Sequence, residues 1–130
     1  MRITFGNYEI CAAGETPAGF SASLKRLLQS DSAIGFENAV VSDRGNSKSE
    51  LSFAVERPHK TPEAAEEALF ETMYEAAGRS PADLKIEFAG GRKQKVFRCA
   101  ALSKCRGAID GRITRHTFEF SSGKDADNGL

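Results

Sequence analysis

The sequence predicts an α+β chain that is mostly β: an antiparallel β-sandwich or partly open barrel of about seven strands with one flanking α-helix. Three observations predict it. Several short runs alternate apolar and polar residues at the two-residue period of a strand with one wet face. A single stretch, opening at Thr61-Pro62, combines helical spacing with capping chemistry. The strand-like runs lie close together between turn residues, which antiparallel pairing allows and parallel crossovers do not. One helix cannot cover both faces of a parallel sheet, so a doubly wound fold is excluded.

The elements follow in order. Ile3 and Phe5 alternate with Arg2 and Thr4, and Tyr8-Glu9-Ile10 continues the strand after Gly6-Asn7. Gly14 to Gly19 is loop chemistry. Phe20, Ala22 and Leu24 alternate with Ser21, Ser23 and Lys25 in a second strand, which Leu27 and Leu28 either extend or close with a helical turn. Phe36 to Val41 is a third strand, and the polar run Asp43 to Ser49 is an exposed connection. Leu51, Phe53 and Val55 alternate with polar or small residues in the clearest strand, which stops at Pro58 because proline cannot donate to a ladder.

The helix is expected from about Pro62 to Ala77. Thr61 is a good N-cap, proline is tolerated at the first helical position, and Glu63, Glu66 and Glu67 favour the N-terminal end of the dipole. Ala65, Leu69, Met73 and Ala76 share one side, flanked by Phe70 and Ala77, with Gly78 as the terminating C′ residue. Leu84, Ile86 and Phe88 then begin the last β part, with a tight turn at Gly90-Gly91. Lys95 to Lys104 follows with Phe97, Cys99 and Ala101 on one face; Gly107 and Gly111 bracket a connection, and Arg112 to Phe120 closes the sheet. Residues 1–121 thus form one domain, and 122–130 read as a flexible C-terminal tail.

A chain of 130 residues with 40% apolar side chains can bury a core without disulfides or metal. No apolar run reaches the roughly 20 residues of a membrane span. The start lacks the apolar run of a signal peptide, which points to an intracellular protein with no membrane partner. Cys11, Cys99 and Cys105 form no disulfide framework, and with His59 and His116 they match no zinc spacing. A Cys99–His116 or Cys105–His116 pair is the one nucleophile–base arrangement open to the chain, with packed thiols and a packed histidine as the plainer reading. Gly90-Gly91 lacks the lysine and hydroxyl residue of a phosphate loop. No catalytic residue, metal or cofactor is expected.

Charge is distributed unevenly although it sums to zero. Residues 1–78 hold 7 basic and 12 acidic side chains, and residues 79–130 hold 11 basic and 6 acidic. Glu63, Glu67, Glu71 and Glu75 recur every four residues as an acidic stripe, either a solvated face or a surface awaiting a basic partner. Arg92, Lys93, Lys95, Arg98, Lys104 and Arg106 are six positive charges with no acid among them. Three readings compete for these: an ordinary exposed hairpin, a nucleic-acid groove, or a surface that docks on the acidic helix of a neighbouring copy. Nucleic acid is the less expected partner, because alternation sends the one nearby aromatic, Phe97, to the side opposite Arg98. The candidate subunit interface is therefore Glu63, Glu67, Glu71 and Glu75 against Arg92, Lys93, Lys95 and Arg98.

The order of Ser49 to His59, the helix start Thr61-Pro62-Glu63-Ala64-Ala65, Leu84 to Phe88 with its Gly-Gly turn, and the closing Gly111 to Phe120 resembles small phage-tail-like structural proteins encoded in bacterial genomes. The likeness covers about residues 19–123 and suggests the tail-tube architecture, in which two packed sheets are flanked by a helix and copies stack as rings. It implies a non-enzymatic assembly subunit whose partners are itself and other tail-like proteins. It also implies a place in the bacterial cytoplasm or in the assembled particle. The segment from Asp43 to Ser49 would then order against the next ring. The alternatives are a nucleic-acid-binding small β-barrel and an adaptor domain for another protein.

Overall fold

The computed structural model describes the backbone of residues 1–31, 40–123 and 126–128. Four strands precede the helix: β1 (Arg2–Phe5), β2 (Tyr8–Cys11), β3 (Ala18–Asp31) and β4 (Val40–Pro58). The helix α1 (Pro62–Arg79) is followed by β5 (Ala82–Glu87), β6 (Gln94–Asp110), β7 (Ile113–Ser122) and the short β8 (Ala126–Asn128). The strands form one sheet in the order β2-β1-β5-β6-β7-β4-β3, with β8 also on β6 and every pairing antiparallel.

The long strand β6 folds this sheet on itself. Its first half, to Ala100, pairs with β5, and its second half, from Ala101, pairs with β7. The register slips once between Leu84 and Ala82 of β5, and again between Leu102 and Lys104. Each slip inserts an extra residue, and bulges of this kind bend a strand. At the first, Cys99 adopts φ 51°, a left-handed conformation that non-glycine residues rarely take. The irregularity overrides the expected alternation of Phe97, Cys99 and Ala101: Phe97 and Ala100 are buried and Cys99 is exposed.

The fold brings the two halves together around a phenylalanine core. Phe5 of β1 meets Phe120 of β7 with ring centroids 4.8 Å apart, and Phe53 lies 5.6 Å from Phe118 and 5.9 Å from Phe120. Ile3, Ile10, Leu51, Val55, Leu84 and Ile86 belong to the same buried cluster. Fully burying each such side chain contributes about 1.5–3 kcal/mol. Among the described residues no strand joins the outer edges of β2 and β3, so the architecture is a partly open, folded-over sheet, mostly β with one helix.

Several elements are drawn differently from the sequence expectation. The opening strand is a hairpin, β1–β2, turning at Gly6, whose φ of 61° suits glycine. Asp43 to Ser49 is no connection: these residues continue β4 and pair with β3 from Leu28 to Leu24. Leu27 and Leu28 likewise lie in strand β3. Of the third strand expected at Phe36 to Val41, Val40 and Val41 begin β4, and residues 36–39 lie outside the described residues. Gly107 is inside β6, not a turn residue. β7 runs on to Ser122, whose buried hydroxyl donates to the Arg98 carbonyl at 2.9 Å.

The helix starts as its sequence dictates: Thr61 Oγ1 accepts from the Ala64 amide at 3.1 Å. Its end differs. The helix continues through Gly78 to Arg79, and Ser80 is the C-cap, its amide donating to Ala77 O at 3.2 Å. Arg79 holds those two added residues: it ion-pairs with Glu75, donates to Asn7 Oδ1 at 2.8 Å and lies over the Tyr8 ring.

Candidate interaction surfaces

Helix α1 packs on β6 and β7 at one end of the folded sheet, and this placement decides which of its side chains remain outside. Gly107 makes the close approach possible. A Cβ there would lie 2.7 Å from Leu69 Cδ1 and 3.1 Å from Met73 Sδ. Opposite Gly107, His116 is buried on the same face and donates Nε2–H to Leu69 O at 2.8 Å. Burial lowers the His116 pKa, so the ring is held neutral. His59 is half-buried and shares a 2.9 Å hydrogen bond with the buried Thr114.

Ala65 and Ala76 are buried against the sheet. Phe70, expected to flank the core, is 55% exposed, and Tyr74 is 72% exposed. The reason is rotation about the helix axis: Leu69 and Met73 take the place over Gly107, which turns Phe70 and Tyr74 outward. Glu66, Glu67 and Glu71 lie within about one turn of Phe70, Glu63 lies about two turns before it, and all four are exposed. Glu75 differs, because a four-residue step advances about 40° beyond a full turn. The acidic row therefore drifts, and Glu75 reaches the flank where it pairs with Arg79.

The basic residues divide at the bend in β6. Arg92 and Lys93 sit exposed in the β5–β6 turn, and Lys95 is half-buried. Arg98 is exposed and lies 3.8 Å from Asp83. Lys104 and Arg106 belong to the other half of the strand, facing Glu119 and Thr117 of β7. The six charges thus do not form one continuous track. Among the described residues, Glu63, Glu66, Glu67, Glu71, Arg92 and Lys93 make no ion pair.

The other surfaces are strand edges and the outer face of β3, β4, β7 and β6. That face carries Ser21, Ser23, Ser52, Ser103 and Ser121 around a shallow depression of about 330 Å³. Beyond Ser49, which pairs with Ser122, β4 is bonded among the described residues to β3 alone, so the two strands continue as a ribbon past the end of β7. Alternation hid this ribbon, because two paired strands need no apolar face.

All three cysteines are free thiols. Cys11 is buried, and burial with nearby Glu15 raises its pKa. Burial pushes the Cys105 thiol up to about 11. Among the described residues no hydrogen bond joins His116 to Cys99 or Cys105, and no group of three or more His, Cys, Asp or Glu side chains lies together as a metal site. Among the same residues, no helix is long and apolar enough to cross a membrane.

Compared with models of known protein families and with curated proteins, the chain matches none.

Proposed function

We propose that this chain is a non-enzymatic structural subunit of a phage-tail-like particle, associating head to tail with copies of itself into rings or a tube. The observation that carries this reading is the β3–β4 ribbon with its open edge. β3 is 14 residues long and, among the described residues, is bonded on one side only, which leaves a row of backbone donors and acceptors on the other. An open edge of this length is suited to pairing with a strand of a neighbouring subunit. Among the described residues β2, at the opposite end of the sheet order, pairs with no strand but β1, while Arg57 donates to its Ile10 carbonyl. A molecule with two unlike open edges is built to associate head to tail, and such contacts close into rings or extend into tubes.

The charge arrangement supports the same reading, since acids and bases that make no ion pair among the described residues occupy separate elements. The division of the basic residues at the bend disfavours a nucleic-acid groove, which needs a continuous track for phosphates. The neutral, helix-bound His116 and the high pKa of Cys105 support a non-enzymatic role. Other tail-like proteins are the further partners of this reading, and the bacterial cytoplasm or the assembled particle is its location.

The test is the mass of the purified protein by light scattering across a concentration series at low and high salt, followed by electron microscopy. Growth to a closed ring or polymer is the expected result. A monomer at every concentration and salt would overturn the reading.

A further inference from the structure

The exposed aromatic residues of α1 have counterparts elsewhere in the chain. Phe70 and Tyr74 are four residues apart, which places them side by side on one helix face. They share the helix with the exposed Glu63, Glu66, Glu67 and Glu71. At the β5–β6 turn, Phe88 is 43% exposed beside Arg92 and Lys93. One surface is aromatic with unpaired acids, and the other is aromatic with unpaired bases.

The turn is also closed by its own hydrogen bonds. The Phe88 amide donates to Lys93 O at 2.9 Å, and the Gly91 amide donates to Phe88 O at 2.8 Å. Gly91 supplies the φ of 71° that closes it. An aromatic side chain presented on a hydrogen-bonded turn loses little conformational freedom on docking, which is what makes aromatic anchors effective at interfaces. The neighbouring Lys85 already pairs with Glu87 at 3.4 Å, so Arg92 and Lys93 are the charges left for a partner.

Among the described residues the two surfaces make no ion pair with each other, and they belong to different parts of the fold: Leu69 and Met73 sit over Gly107 in the second half of β6, whereas the turn lies before its first residue, Gln94. The end of the helix lies near Ala82 at the start of β5, where a Cβ on Gly6 would be 3.4 Å from Ala82 and 3.9 Å from Arg79. Phe88 follows the far end of β5, about 20 Å away for six residues of strand.

We propose that the β5–β6 turn of one copy docks on helix α1 of the next, with Phe88 packing against Phe70 and Tyr74 while Arg92 and Lys93 face Glu67 and Glu71. The occupant of the helix face is thus a second copy of this chain. This contact rests on the self-association proposed above, adds an aromatic anchor to it, and leaves Glu75, Lys95 and Arg98 outside the central contact.

The test uses two full-length variants, E67K/E71K and R92E/K93E, with circular dichroism to verify folding. Each variant alone should assemble at least tenfold less readily than wild type by light scattering. Mixed in equal amounts they should regain assembly, because reversed turn then meets reversed helix and native turn meets native helix. F88S should weaken assembly at least tenfold at high salt as well, where charge is screened. Wild-type assembly that is undiminished in all three variants would overturn this contact and leave the self-association standing. Loss in both charge variants without recovery on mixing would also overturn it. A wild type that stays monomeric throughout would overturn the contact and the proposed function together.

Discussion

His116 on β7 donates its Nε2–H to the carbonyl of Leu69, a residue in the middle of α1, at 2.8 Å. A carbonyl only accepts, so the bond fixes the tautomer and ties the helix to the sheet at a buried point. Burial lowers the pKa of this ring below its ordinary value of 6.5. The unfolded chain therefore takes up this proton before the native one does. Stability is fully present above pH 6.5 and falls as pH drops from there toward the native pKa. Urea denaturation at pH 8, 6 and 5 should show this loss. His116→Leu should cost about 1 kcal/mol at pH 8 and flatten the slope; an equally steep slope in the variant would place the titration elsewhere.

Gly107 sets the distance between helix and sheet. Gly107→Ala places a methyl against Leu69 Cδ1 and Met73 Sδ, both ends of flexible side chains, so about 1 kcal/mol should be lost. Gly107→Leu should cost about 3 kcal/mol, since its bulk also reaches toward the His116 ring. Thermal unfolding of the two variants checks the gradation, and equal stability in both would mean that the helix lifts away freely.

Cys99 holds a left-handed conformation at the bend of β6, with its amide donating to Asp83 Oδ1 at 3.1 Å. That conformation costs a side chain about 1–2 kcal/mol. Part of this is recovered by glycine, whose unfolded chain has more freedom to lose. Cys99→Gly should therefore stabilise the protein by about 0.5–1 kcal/mol, and Cys99→Val should destabilise it. Chemical denaturation of the pair would reveal the opposite signs; a destabilised glycine variant would contradict a strained corner.

Phe120 touches Phe5, Phe53 and Phe118, and so joins both halves of the folded sheet. Phe120→Ala should cost about 3–5 kcal/mol, the range for a buried phenylalanine. Phe88→Ala, on the surface, should stay within about 0.5 kcal/mol. Comparable losses at the two positions would contradict this placement of the core.

The sequence by itself determined what depends on near neighbours. The inward set Leu51, Phe53 and Val55 was legible because strand alternation is local, and the helix start was legible because Thr61 caps its own first turn. Tertiary structure decided the rest. Gly78 would end an isolated helix, but Arg79 bonds to Asn7, 72 residues away in sequence, and the helix continues. Asp43 to Ser49 has loop composition, yet long-range pairing with β3 makes it a strand. The fold of β6 was hidden because its left-handed residue is a cysteine rather than a glycine. The sequence offered charged candidates for an interface but not their pairing within the fold: Glu75 is taken by Arg79, and Arg98 lies beside Asp83. The exposure of Phe70 and Tyr74 follows from how Leu69 and Met73 settle over Gly107. Periodicity narrows the apolar face of a helix to an arc; only the surface it packs on fixes the rotation within that arc.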